Sequence, residues 1–361
     1  MRIGIITPYD SANCGAFLQA YATKIFLENQ GHKVFFIKWR TDKERKKEYF
    51  LHSSGIKAKF RFLQKYFFLR ERYFVMESAL KAFQVIDEEE LAKYKIDCCI
   101  VGSDEIWNIR VAQFQNPIFY GKFNAKSMPC LAYAPSAGQA EKQDFDNFPE
   151  IIELFNRISI IGVRDLNTAS IVHKILKRKV PLVCDPTCLL EIDKFMFPKV
   201  DIGIDKYILV YSYSVPKEHQ QFIKRYAKDN NLKTVAVCMP QTWCDININC
   251  NPLEFNTYIA NASCIYTTTF HGSIFTLLNH KACAIYAVSK KLKDLLMWTG
   301  KNDVIVYKET SYEQFSKLLN TITNYLKYEE KLAEFRKSST ELYISELKKI
   351  EDNILQKGEK C

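Results

Sequence analysis

The chain has 361 residues, 47% of them hydrophobic and 25% charged, with 12 glycines, 11 prolines and a formal net charge of +10. That length and mix suit two domains with separate cores and exclude a disordered, repeat or fibrous chain. No run of about 18 uncharged apolar residues occurs, so no transmembrane helix is expected; the opening run Met1 to Pro8 is too short for a signal peptide, and a cytosolic protein is expected.

Arg2 to Thr7 reads as the first strand, followed by the polar loop Pro8 to Gly15. A helix follows from Ala16 to Asn29, with Leu18, Tyr21, Ala22, Ile25 and Phe26 on one face. Gly31 ends it and 33–39 is the next strand, a βαβ opening. Asn13 and Gly15 stand at the start of that helix, where a phosphate could be faced. The loop is not G-x-G-x-x-G, so a dinucleotide is not indicated.

From Arg40 to Arg72 the chain carries eleven lysines and arginines against four acids, interleaved with Tyr49, Phe50, Phe60, Phe62, Tyr66, Phe67, Phe68, Tyr73 and Phe74. Nucleic acid is one partner for such a segment, but no recognised nucleic-acid motif accompanies it and none is expected to bind. A helix pair lying on anionic headgroups or a polyprenyl phosphate is a second reading. A solvated helix face with inward aromatics is the third.

Helical stretches are expected to about Lys95, and 97–101 then reads as a buried strand ending in Gly102-Ser103-Asp104-Glu105-Ile106-Trp107. At that sheet edge Asp104 could act as a general base or hold a sugar hydroxyl, and Trp107 offers a flat face to a sugar ring. A helix-capping Asp and a core Trp are the structural alternatives. Strands at 129–134 and 158–163 run into Pro135-Ser136-Ala137-Gly138 and Arg164-Asp165, with a helix from Asn167 to Leu176. Arg164 stands at a strand end, the right place to clamp a carboxylate or phosphate. A strand over 179–184 leads to Asp185-Pro186-Thr187, where Asp before Pro reads as a turn device.

The stretch 190–206 lacks periodicity and marks the domain boundary. A second βα series follows, with strands at 207–213, 233–237 and 282–288 and helices at 217–230 and 254–261. Within it, Ile265 to Thr269 reads as a buried strand and Ser273 onward as a helix, so Phe270-His271-Gly272 sits in the turn between them. Such a turn lies at the carboxyl end of a strand, where ligands bind and helix amides hold anions. A histidine there is an acid–base group beside an anion site, or a satisfied structural residue. Basic Lys290 and Lys291 follow the next strand, and Lys- and Glu-rich helices fill 311–356. The layout is an α/β chain with two Rossmann-like domains, 1–195 (with a basic helical insertion at about 40–95) and 205–310, then covering helices at 311–361.

Twelve cysteines are scattered, several inside strands, and no C-x-x-C pair occurs. Cys238, Cys244 and Cys250 are evenly spaced but not at a zinc spacing. Reduced thiols and no metal are expected.

Six blocks, taken in order, resemble the polysaccharide pyruvyl transferase family. They are Asn13 to Tyr21, Val101 to Asn108, Tyr133 to Gly138, Val163-Arg164-Asp165, Asp185-Pro186-Thr187 and Thr269-Phe270-His271-Gly272, and the likeness covers roughly residues 1–300. The resemblance implies a fold similar to the GT-B glycosyltransferases and transfer of pyruvate from phosphoenolpyruvate to a sugar as a cyclic ketal. The acceptor would be a capsule, exopolysaccharide or cell-wall glycan, expected as a lipid-linked repeat unit, with no cofactor beyond phosphoenolpyruvate as co-substrate. It casts His271 as acid or phosphate contact and Asp104 as acceptor-side base. Arg164, the Gly272 and Ser273 amides, Asn13, Gly15 and Lys291 would hold the donor; Trp107, Ser103 and Ser136 would meet the acceptor. In some branches an arginine stands two residues before the histidine, where this chain has Thr269; its loss leaves donor binding to Arg164 and the lysines. A nucleotide-sugar glycosyltransferase and a non-catalytic glycan-assembly factor are the competing readings.

Overall fold

A computed structural model describes residues 1–50, 59–123, 128–190, 197–198, 200–321 and 324–358; side chains at 50, 59–65 and 357–358 lie outside the description. The first half runs β1 (Arg2–Ile6), α1 (Cys14–Asn29), β2 (Lys33–Ile37), α2 (Asp42–Phe50), α3 (Lys59–Leu80), β3 (Val85–Ile86), β4 (Cys98–Val101), β5 (Cys130–Tyr133), α4 (Pro149–Phe155), β6 (Ser159–Gly162) and α5 (Leu166–Leu176). The second runs β7 (Tyr207–Tyr211), α6 (Lys217–Asp229), β8 (Lys233–Val237), β9 (Ile246–Ile248), α7 (Phe255–Asn261), β10 (Cys264–Thr267), α8 (Phe270–Leu278), β11 (Cys283–Tyr286), α9 (Lys290–Trp298) and β12 (Ile305–Val306). Two helices close the chain, α10 (Tyr312–Asn320) and α11 (Leu326–Gly358).

Each half carries one parallel six-stranded sheet, in the orders β3-β2-β1-β4-β5-β6 and β12-β11-β10-β7-β8-β9. Read from its own first strand, the second order is the first repeated, so each sheet reverses direction beside its first strand, between β1 and β4 and between β7 and β10. Loops at the carboxyl ends of those strands form the crevices in which open α/β sheets bind ligands. The central strands are apolar throughout and buried on both faces, as in Ile3 to Ile6 and Tyr207 to Tyr211; parallel sheets covered by helices require this.

Side-chain caps fix where the helices begin. Asn13 Oδ1 accepts from the Gly15 amide at 2.7 Å, Asp165 Oδ1 from Thr168 at 2.8 Å, and Thr269 Oγ1 from Gly272 at 3.0 Å. Each satisfies one of the amides a helix start leaves free. The third sets α8 three residues earlier than the sequence pattern indicates, so His271 lies in its first turn rather than in a loop.

Several expectations change. The stretch to Lys95 is not helical throughout: it contains β3 and a 3-10 turn at Glu88–Glu90. In place of a strand over 179–184 there is a single bridge between Val163 and Leu182. β9 and β12 are too short to give a periodic signal. In the basic segment, Arg45 and Arg72 are buried and engaged, Arg45 by Glu77 and Arg72 by the carbonyls of Ala12 and Cys250, and Arg40 is paired with Asp10 and Glu48. The Arg45 and Arg72 charges therefore face protein. The side chains at 50–65, Phe50, Phe60 and Phe62 among them, lie outside the described ones. α10 packs Phe315 against Tyr226 of the second half, whereas α11 crosses to the first, stacking Tyr343 on Tyr133 at 4.1 Å.

Candidate functional site

A cleft of about 400 Å3 lies where the carboxyl ends of both sheets face each other. From the first half its walls hold Asn13, Arg40, Glu48, Asp104 and Glu105; from the second, Tyr213, Thr269, Phe270, His271 and Lys291.

His271 is the point where the halves meet. Only 7% of its side chain is exposed, and its Nε2 stands 3.5 Å from Asp185 Oδ2. The other side of the ring packs on the start of α1: a Cβ on Gly15 would lie 2.4 Å from His271 Nδ1. Gly15 is thus required by the imidazole, since any side chain would occupy the ring's own space. Asn13, besides capping α1, accepts from the Tyr211 hydroxyl at 3.0 Å and donates to Tyr213 at 2.6 Å. Both residues bear on the site through the histidine and the facing strand end.

Asp185 does two jobs. Its Oδ1 accepts from the Thr187 amide at 3.0 Å and hydroxyl at 2.6 Å, the turn device the sequence indicates. Its Oδ2 takes Arg164 Nη1 at 2.7 Å, with Ser103 Oγ at 3.4 Å and His271 beyond. Burial pushes this carboxyl up, but His271 and Arg164 outweigh it and hold it well below the usual carboxylate range. The carboxylate is thereby a fixed anion 3.5 Å from the ring. Arg164 also reaches Asp104 Oδ1 at 3.4 Å, and its side chain is 1% exposed. It stands behind the cleft wall, so it positions Asp185 and Asp104 rather than meeting a ligand directly. Asp104 itself lines the cleft in a left-handed backbone conformation with φ of 78°. Such backbone strain in a non-glycine residue is characteristic of functional positions.

Lys291 is paired with Glu105 across the cleft, and its Nζ lies 5.4 Å from the Phe270 ring centre. Burial acts to raise Glu105, yet Lys291 and Arg164 bring it down to about 2. Arg40, the other cation on the wall, holds Asp10 at 2.9 Å and Glu48 at 2.7 Å.

Five assigned residues are placed elsewhere. The Gly272 amide is taken by Thr269 Oγ1, and Ser273 bonds to the Thr269 carbonyl through amide and hydroxyl, so neither amide is free for an anion. The amides at the head of α8 with no carbonyl one turn behind within the helix are those of Phe270 and His271. Trp107 is fully buried, edge-on to Phe155 at 4.8 Å with its Nε1 donating to the Phe119 carbonyl, and offers no face to a sugar. Ser136 is buried and donates to Asp165 at 2.6 Å. Ser103 is buried too, donating to the Ala134 carbonyl at 2.8 Å. Thr269 caps α8 on the cleft wall.

Asp185, Glu105 and Arg40 are the site residues that sequence reasoning passes over. Asp185 belongs to one of the six blocks, which was its signal; Arg40 is hidden at the edge of a basic run. The sequence also does not reveal that Cys14 meets Cys238 at 3.1 Å and Cys238 meets Cys250 at 3.2 Å, all three buried, whereas Cys244 is not part of the group.

Comparison with family models matches residues 13–290 to "Polysaccharide pyruvyl transferase". Comparison with curated proteins gives no match. Among solved structures, the chain is similar to UDP-GlcNAc 2-epimerase from Neisseria meningitidis bound to UDP-GlcNAc, at 11% identity and a TM-score of 0.52, over 97% of this chain and 100% of that one. It is also similar to the glycosyltransferase SsfS6 of Streptomyces sp. SF2575 complexed with thymidine diphosphate, at 12% identity and a TM-score of 0.49, over 96% and 99%. The first likeness bears on fold alone and agrees with a GT-B-like pair of Rossmann-like halves around one cleft. The family match spans most of the chain and includes every cleft residue named above except Lys291, and on it the chain belongs to the polysaccharide pyruvyl transferase family, transferases acting on glycans.

Proposed function

We propose that the chain moves pyruvate from phosphoenolpyruvate onto two hydroxyls of one sugar in a capsule, exopolysaccharide or cell-wall glycan, forming a cyclic ketal. The observation that carries this reading is the imidazole of His271 set between the two sheets, backed by the anionic Asp185 and bordering a cleft that also holds Asp104 and Lys291. An imidazolium there gives its proton to the methylene carbon of the enol, leaving an oxocarbenium-like centre at the carbon that bears phosphate. A sugar hydroxyl adds to that centre and its proton passes to a base, for which Asp104 is the candidate. The carbon–oxygen bond to phosphate then breaks, phosphate leaves with the electron pair, and the second hydroxyl closes the ring, its proton passing to the imidazole of His271 that the first step left neutral. General acid and base assistance contributes about 10²–10⁴-fold for each group.

The amides of Phe270 and His271 and the Lys291 ammonium are the donors offered to the anionic co-substrate. Lys291 would exchange Glu105 for the ligand as it binds. The test is phosphate release from phosphoenolpyruvate with a panel of lipid-linked and pyranosyl acceptors, for wild type and His271→Ala. Acceptor-dependent release that the variant loses supports the assignment; unchanged release in the variant removes His271 from the chemistry. Thermal stabilisation by a nucleotide-sugar and not by phosphoenolpyruvate would instead favour a glycosyltransferase.

Among the described residues no helix is long and apolar enough to cross a membrane. A lipid-linked acceptor would be met at the surface by α3, on which Phe67 and Phe74 are 59% and 58% exposed near Arg70. Sedimentation with anionic liposomes checks this, and no binding at low salt returns α3 to an ordinary solvated helix.

A further inference from the structure

Cys14 begins α1, Cys238 follows β8, and Cys250 follows β9, so three sulfurs far apart in sequence come from both halves of the chain. Their Sγ atoms all lie within 4.8 Å of one another. The closest approaches are 3.1 Å for Cys14 to Cys238 and 3.2 Å for Cys238 to Cys250. Cys238 reaches the group from a left-handed backbone conformation, φ 62°, which costs a β-carbon-bearing residue energy and points to a constraint on where its sulfur must be.

Arg72 lies against the cluster. Its guanidinium is buried and donates to Cys14 Sγ at 3.0 Å, to the Ala12 carbonyl at 2.9 Å and to the Cys250 carbonyl at 2.8 Å. Among the described residues no carboxylate stands within ion-pair distance of it. A buried guanidinium needs a nearby negative charge, and the sulfurs are the groups placed to supply it.

We propose that Cys14, Cys238 and Cys250 form a three-sulfur site for a soft divalent metal ion, zinc(II) by its chemistry, that joins the two halves of the chain beside the cleft. An ion bonded at about 2.3 Å to three sulfurs in tetrahedral directions holds them about 3.8 Å apart. The two closest approaches, 3.1 and 3.2 Å, have to open by less than about 1 Å to reach that geometry. Three thiolates around a divalent ion carry one net negative charge, which Arg72 offsets, so the filled site is neutral as a whole. Thiolate donors select zinc or copper(I) over magnesium or calcium; a monovalent ion would leave the buried group with a net negative charge. A disulfide would use two of the sulfurs and leave the third unexplained.

The test uses the full-length chain, reduced and stripped with chelator. Cobalt(II) titration is expected to give a thiolate-to-cobalt charge-transfer band that saturates at one equivalent and is bleached by one equivalent of zinc. Cys238→Ser and Cys250→Ser are expected to weaken cobalt binding at least about tenfold. Cys244→Ser, outside the cluster, should leave it unchanged. No charge-transfer band in the reduced wild type overturns the proposal without reliance on any variant's folding. A band that persists undiminished in both ligand variants overturns it as well. A Cys14–Cys238 disulfide in the purified protein, together with no cobalt band after reduction, assigns the cluster to redox chemistry instead.

Discussion

Replacing Gly15 by alanine tests the packing on which the site rests. The added methyl carbon would lie 2.4, 2.5 and 2.6 Å from Nδ1, Cγ and Cβ of His271, against the usual contact distance of about 3.4–4 Å. The ring must retreat by about 1 Å, and Asp185 already stands 3.5 Å from its far side. Overpacking of this kind costs about 1–3 kcal/mol, while alanine in place of a helical glycine returns up to about 1 kcal/mol. A net destabilisation of about 1–2 kcal/mol is expected, with a turnover loss of about 100-fold from the displaced ring. In a His271→Ala background the methyl meets no ring, and the same substitution should be neutral or stabilising. Urea denaturation of wild type, both single variants and the double variant therefore gives a coupling of about 2 kcal/mol. A coupling below about 0.5 kcal/mol, within ordinary additivity, would show that His271 does not pack on Gly15 and would refute the reasoning.

Asp185→Asn leaves Arg164 without its 2.7 Å partner, and loss of a buried pair costs about 3–5 kcal/mol. Since Arg164 keeps Asp104 at 3.4 Å, the lower end is expected in the urea midpoint, and a loss under about 1 kcal/mol contradicts the pairing. Glu105, held at about 2, contributes stability that is full above its unfolded value of 4.5 and is lost as pH falls from there toward 2. With 29% of the carboxylate exposed, that contribution is discounted to about 1–2 kcal/mol. The advantage of wild type over Lys291→Met should therefore shrink from pH 6 to pH 3, and a constant advantage sinks the account. Trp107→Phe should lower thermal stability through lost packing and the lost Phe119 bond, with no change in acceptor KM; a raised KM would restore the ring to the acceptor site.

What the sequence could disclose divides by the range of the interaction. Strands such as 233–237 and helix 217–229 announce themselves, because buried parallel strands are continuous apolar runs and amphipathic helices repeat every 3.6 residues. β3 and β12, two residues each, have no period to detect. The strand-end positions of His271, Asp104 and Lys291 were legible from the same local pattern. Side-chain direction was not: Trp107 and Ser136 occupy the expected loops and turn inward to Phe155 and Asp165. Asp185 reads locally as a turn residue, and its second oxygen acquires partners only when chain positions 164 and 271 are brought to it. Cys14 and Cys238 are separated by 224 positions, beyond any spacing rule.

The last helix has a bearing on how the chain is made. α11 supplies Tyr343 to the stack on Tyr133, a ring against Phe26 at 5.1 Å, and the Ser339 hydroxyl that accepts from the Cys184 amide at 3.0 Å. Those partners all belong to the first half, which leaves the ribosome well before α11 exists. During synthesis the half that emerges first must wait with its back uncovered until the residues of α11 have been translated. Ribosome stalling before Leu326 would therefore strand an incomplete nascent core, exposed to chaperones and proteases.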